Sequence, residues 1–173
     1  MADTFVKLAT VTVGAGGSAS IELTSIVGTY TDLCVKLTAR STATGVGTIR
    51  MKVNTDTGAN YNYRQIQGNG SSASSSGGTG ATSSSNEVAL IDGSDSTSNT
   101  FSNSELYFPN YSGSTIKFWL VESVEEENAT TAYSRITAGN WTGTAAITAI
   151  TFTPSSGNFA QYSTATLYGL SKS

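Results

Sequence analysis

The side chains best equipped for chemistry in this chain are carboxylates, and they fall in three groups. Asp56-Thr57-Gly58 matches the D-T-G signature in which two carboxylates share a proton and activate water. Its flanks, Val53-Asn54-Thr55 and Ala59-Asn60-Tyr61, are polar and turn-like, so the residues read as an Asp that opens a turn and a Gly that ends it. Asp92-Gly93-Ser94-Asp95, followed by Ser96, Ser98 and Asn99, offers oxygens of the kind calcium takes. The spacing and the bidentate Glu of a calcium-binding helix-loop-helix are missing. Glu125-Glu126-Glu127 is the densest charge in the chain, and paired carboxylates hydrolyse glycosides when one is desolvated across a sugar from the other. Three adjacent glutamates at a strand end point in alternating directions, and a solvated, charged turn is the expectation. No catalytic, cofactor or metal site emerges, and the chain reads as a non-enzyme.

What is missing narrows the chemistry further. Histidine is absent, which removes the commonest general base, pH switch and transition-metal ligand. The single cysteine, Cys34, sits in the alternating stretch Leu33 to Leu37 and reads as a partly buried small apolar residue. Lys and Arg total nine and are scattered, and the net charge is −3, which argues against a nucleic-acid partner. Charged residues make up only 12% of the chain, against about 25% in an ordinary soluble domain. The surface must therefore be built largely from Ser, Thr, Asn, Gly and Gln, whose hydroxyls and amides can bond a neighbouring subunit or a glycan.

Aromatic residues concentrate at Tyr61, Tyr63, Tyr107, Phe108, Tyr111, Phe118, Trp119 and Trp141. Such rings either fill a core or stand exposed, where they stack on sugars or seal a subunit interface. Tyr61, Tyr63, Tyr111, Trp119 and Trp141 are the candidates for interface or glycan contact. Phe118 and Trp119 are neighbours and face opposite sides of a strand, so one enters the core and the other is free for an interface.

Period-2 alternation and β-branched residues recur from end to end, and no stretch carries a capped helical stripe. The expected fold is all-β: an antiparallel, jelly-roll-like β-sandwich spanning 1–173 as one domain. Strands are expected at 5–13, 18–23, 32–40, 48–53, 61–67, 87–91, 101–108, 115–124, 133–138, 145–152 and 160–170. Gly14-Ala15-Gly16-Gly17 between the first two predicts an N-terminal β-hairpin. The tract 68–85 is almost wholly Gly, Ser, Thr and Ala, which predicts a flexible loop or, as the weaker alternative, an extended segment packed against identical neighbours. Residues 1–8 are a candidate docking arm.

The N-terminus has no basic region followed by an apolar run, and nowhere do about 18 apolar residues follow one another. The expectation is synthesis in a cytoplasm, without signal-peptide export or membrane insertion. The stretches 26–33 (IVGTYTDL), 61–70 (YNYRQIQGNG) running into the serine tract, 107–111 (YFPNY) and 163–170 (STATLYGL) resemble a group of small structural proteins of marine and cyanobacterial tailed phages. That resemblance implies a virion protein, either a capsid decoration or head-fibre subunit or a tail-fibre component that recognises host surface glycans. It also implies assembly with itself, as a homotrimer or another cyclic oligomer, and contact with the major capsid protein or other virion proteins. No catalytic residues accompany it.

Overall fold

The computed structural model describes residues 4–128 and 131–171, and among them there is no helix. Twelve strands run in chain order: β1 (Phe5–Thr12), β2 (Ile21–Leu23), β3 (Asp32–Ala39), β4 (Gly47–Val53), β5 (Tyr61–Gly68), β6 (Ala73–Ala81), β7 (Glu87–Ile91), β8 (Ser102–Phe108), β9 (Lys117–Glu127), β10 (Thr131–Trp141), β11 (Ile150–Pro154) and β12 (Thr164–Leu170). They form two antiparallel sheets, one in the order β1-β12-β3-β8-β9-β10-β5-β6 and the other in the order β2-β11-β4-β7. Successive strands from β1 to β4 alternate between the sheets, as do β7 and β8 and then β11 and β12. The result is an all-β, antiparallel β-sandwich. The pairs β5–β6 and β9–β10 are hairpins added to it, and both join the same sheet beyond β8.

Alternation explains which face each strand buries. Leu33, Val35 and Leu37 of β3, Leu106 and Phe108 of β8, and Trp119 and Val121 of β9 all point inward. They meet Ile21, Leu23, Ile49, Met51, Ile150 and Phe152 of the smaller sheet in one continuous core. The Trp119 ring lies flat against β10 because position 139 is Gly, where a Cβ would come within 2.6 Å of the ring.

The expected N-terminal hairpin does not form. Its turn does, with the Gly17 N–H on the Gly14 carbonyl at 3.3 Å, but the chain then crosses to the other sheet. Ser18 exchanges backbone hydrogen bonds with Phe159 at 3.0 and 2.8 Å, β2 pairs with β11, and β1 pairs along its length with β12. Four turn residues suit a hairpin or a crossing equally, and distant pairing, which sets Phe5 opposite Leu170 and Thr12 opposite Thr164, decides between them. For the same reason Phe5–Leu8 is part of a sheet and not a free arm, while residues 1–3 of that expected arm lie outside the described residues.

The tract expected as a flexible loop is instead β6, the outermost strand of the large sheet. Small side chains gave no apolar pattern to read, yet a strand needs only its backbone groups to pair, and β6 pairs with β5 from Tyr61 to Gly68. Gly78 lets the Tyr63 ring lie across β6, since a Cβ there would sit 2.8 Å from the ring edge.

The free edge of the smaller sheet is closed by side chains. Ser123 of β9 accepts the Leu90 N–H of β7 at 2.9 Å and shares a hydrogen bond with Ser104 of β8 at 2.9 Å, all of it buried. Ser123→Ala strands a buried N–H, which costs about 2 kcal/mol. The expected result is a melting temperature lower by about 6 °C, with an unchanged denaturant m-value, in thermal and urea unfolding followed by circular dichroism.

Candidate interaction surface

Asp56 is fully engaged in structure. Its Oδ1 accepts the Gly58 N–H at 2.7 Å, and its Oδ2 accepts Asn60 Nδ2 at 2.8 Å and Trp141 Nε1 at 2.6 Å. The indole bond, followed by the other two, holds the carboxyl below the usual carboxylate range. The expected turn is there, and it also clamps the loop before β5 to the end of β10.

In the 92–99 loop the carbonyl oxygens converge on a guanidinium. Arg40 donates to the carbonyls of Thr97 (2.7 Å), Ser96 (2.8 Å), Thr100 (2.9 Å) and Ser94 (3.1 Å). Asp95 accepts the Gly45 N–H at 2.6 Å, and Glu126 holds the loop from the other side through the Thr97 N–H (2.8 Å) and the Thr100 hydroxyl (2.9 Å). Among the described residues no three His, Cys, Asp or Glu side chains are grouped to hold a metal ion. Because the four bonds need a planar fork, Arg40→Lys is expected to lower stability by about 2 kcal/mol and to speed amide exchange in 94–100, measured by hydrogen-exchange mass spectrometry.

The glutamate run departs from expectation. It continues β9, and Glu125 points inward, 3% exposed, with neither carboxyl oxygen hydrogen-bonded. Asp92 is also buried, with Oδ2 unpartnered. Burial, then repulsion from Asp92, Glu127 and Glu126, pushes the Glu125 carboxyl up to about 7, with Arg135 pulling the other way. Burial raises Asp92 as well. A carboxyl protonated more readily in the fold than in the unfolded chain stabilises the fold below its ordinary value of 4.5 and loses that contribution as pH climbs through 7. Urea unfolding should therefore report a stability drop of about 3 kcal/mol between pH 5 and pH 8 from this group. Glu125→Gln should remove most of that slope and leave the protein more stable at pH 8.

Two further polar groups are structural. Lys117, buried, donates its ammonium to the carbonyls of Gly113 (2.6 Å), Thr144 (3.1 Å) and Thr115. Cys34 is buried between strands, and burial together with Glu105 pushes its thiol up to about 11, where it is inert as a nucleophile.

The rings singled out for interface or glycan contact mostly face the other way. Tyr61, Tyr111, Trp119 and Trp141 are buried in the core, where they cannot stack on a sugar, and only Tyr63 is half exposed. Tyr61 donates to the Asp56 carbonyl at 2.8 Å, and the Tyr111 hydroxyl donates to the Val27 carbonyl. Of the pair on β9, Trp119 is the inner residue and Phe118 the outer one.

Phe118 belongs to the surface that the aromatic count missed. On the outer face of the large sheet, Ile66 is 65% exposed, Phe118 53%, Ile136 51%, Val124 50% and Leu120 45%. Strand register sets them side by side: Ile66 of β5 opposes Ile136 of β10, Ala138 opposes Leu120, and Leu120 opposes Tyr107 of β8. Aliphatic residues far more exposed than an isolated strand position requires thus form one continuous patch. The signal was legible in β9, which is apolar in both parities: Trp119 and Val121 on one face, Phe118, Leu120 and Val124 on the other. Toward β12 the same face turns polar, with the Lys36–Glu105 ion pair and the Tyr107 hydroxyl on Asp32 at 2.6 Å. Comparison with protein-family models, curated proteins and solved structures finds no match to this chain.

Proposed function

We propose that this chain is a virion structural subunit, displayed in many copies on the surface of a tailed-phage particle as a capsid decoration or head-fibre protein. The observation that carries the reading is the apolar patch on the outer face of the large sheet, from Ile66 across Ile136 to Leu120 and Phe118. A weakly charged module that circulated alone would carry such a patch as an aggregation hazard, whereas a subunit that spends its life in an assembly has it covered. The carboxylates considered for catalysis fit the same reading, since Asp56 and Asp95 hold loops and Glu125 is shut inside. The phage setting draws on the sequence resemblance at 26–33, 61–70, 107–111 and 163–170. A glycan-binding fibre tip draws less support, because four of its five candidate rings lie in the core.

The test is antibody against the purified protein, coupled to gold and applied to intact particles of the encoding phage under the electron microscope. Label spread over the head is the expected result. Label confined to the tail would overturn the head assignment, no label on particles that do carry the protein would overturn its surface display, and purified particles that lack the protein would overturn the virion role.

A further inference from the structure

We infer that the outer face of the large sheet is covered by a second copy of this chain, packed sheet to sheet. This rests on the multi-copy reading above and names its partner and its contact surface.

The five strands β8, β9, β10, β5 and β6, spaced about 4.8 Å apart and about seven residues long, give a face of roughly 550 Å². A standard stable interface takes roughly 800 Å² from each partner, so a second copy of these five strands makes an interface of the small, weakly associating kind. The relief is suited to interdigitation. A hollow of about 520 Å³ lies beside the small residues of β6, lined by Arg64, Ile66, Ser75, Gly77, Ile136 and Ala138. A second, of about 430 Å³, lies across the Ile136 ridge, between Glu122, Val124 and Ser134. Protruding aliphatic side chains next to open hollows that each take several side chains are what two identical faces need to mesh.

Charge decides between a copy and a stranger. Glu105 of β8, opposite Glu122 of β9, is taken up by Lys36, which leaves Arg64 on β5 and Glu122 as exposed charges of the patch that, among the described residues, take part in no ion pair. Arg64 is turned along the surface by hydrogen bonds to the Gly78 carbonyl and the Thr79 hydroxyl, both at 3.0 Å. Strand β10 lies midway between them, with Ala138 opposite Arg64 and Ile136 opposite Glu122. A two-fold axis along β10, in the plane between two copies, lays β5 of each over β9 of the other. Arg64 of one copy then comes within a side chain's reach of Glu122 of the second, twice by symmetry. The face supplies its own complement, which a shell protein would have to provide from elsewhere.

Sedimentation velocity on the full chain, from about 1 to 500 µM, tests this. The wild type is expected to associate, and Ile136→Glu to remain monomeric over the same range with an unchanged circular-dichroism melt, because residue 136 lies outside the core. Arg64→Glu and Glu122→Arg should each weaken association by up to about fivefold, and the double reversal should recover it. A wild type that stays monomeric throughout overturns the inference, as does an Ile136→Glu variant that associates like the wild type. Failure of the folded double reversal to recover overturns the pairing and with it the two-fold arrangement. The result separates from the particle experiment: a monomer that nevertheless labels heads leaves the virion role standing with the shell as the covering partner. A self-associating chain that is absent from purified particles removes the role and keeps the interface.

Discussion

A β-sheet buries apolar side chains only where something lies over them, and the two sheets here are unequal, eight strands against four. Most of what is distinctive about the molecule follows from that mismatch. The eight strands of the interwoven sandwich have partners on their inner faces. The hairpins β5–β6 and β9–β10 widen one sheet only, so beyond the reach of β7, which bonds β9 through Leu90 and Ser123, the extension must find cover by other means. On the inside, the cover is a layer of loops and large rings, with Tyr61, Trp119 and Trp141 beneath the 54–60 and 142–149 segments. On the outside, the aliphatic residues of the extension have none within the chain.

The polar interior belongs to the same geometry. Where loops rather than strands close over a sheet, their carbonyls and N–H groups lack a ladder and must be met by side chains. Arg40 meets four carbonyls of one loop, Lys117 three from neighbouring turns, and Asp56 ties a third loop to an indole. These are charged residues spent as fasteners. They are drawn from a small stock of nine cations and twelve acids.

Much of the architecture was legible because alternation is a local signal. The strand from Glu87 to Ile91 falls where the pattern put it, and the sandwich follows from many short alternating runs separated by turns. What local pattern could not show is pairing at a distance, which is why Gly14 to Gly17 looked like a hairpin and proved a crossing between sheets. Composition misled at β6, since Ser and Gly leave no periodicity although their backbones pair as well as any. It misled again at Glu125, because the strand was taken to end just before the run of glutamates. The aromatic count pointed at the right strand and the wrong face: Trp119 drew attention by its size, while Phe118, Leu120 and Val124 carried the surface signal through their spacing.

The register that sets Phe5 opposite Leu170 also governs time. Strand β12 lies between β1 and β3, so β1 has no neighbour, and β3 lacks one of its two, until residues 164–170 are available. A topology so dominated by distant contacts folds slowly, on the scale of milliseconds to seconds or longer. The large sheet is completed only once residue 170 has been made, well after Trp141 has closed the group of strands that carries the apolar patch.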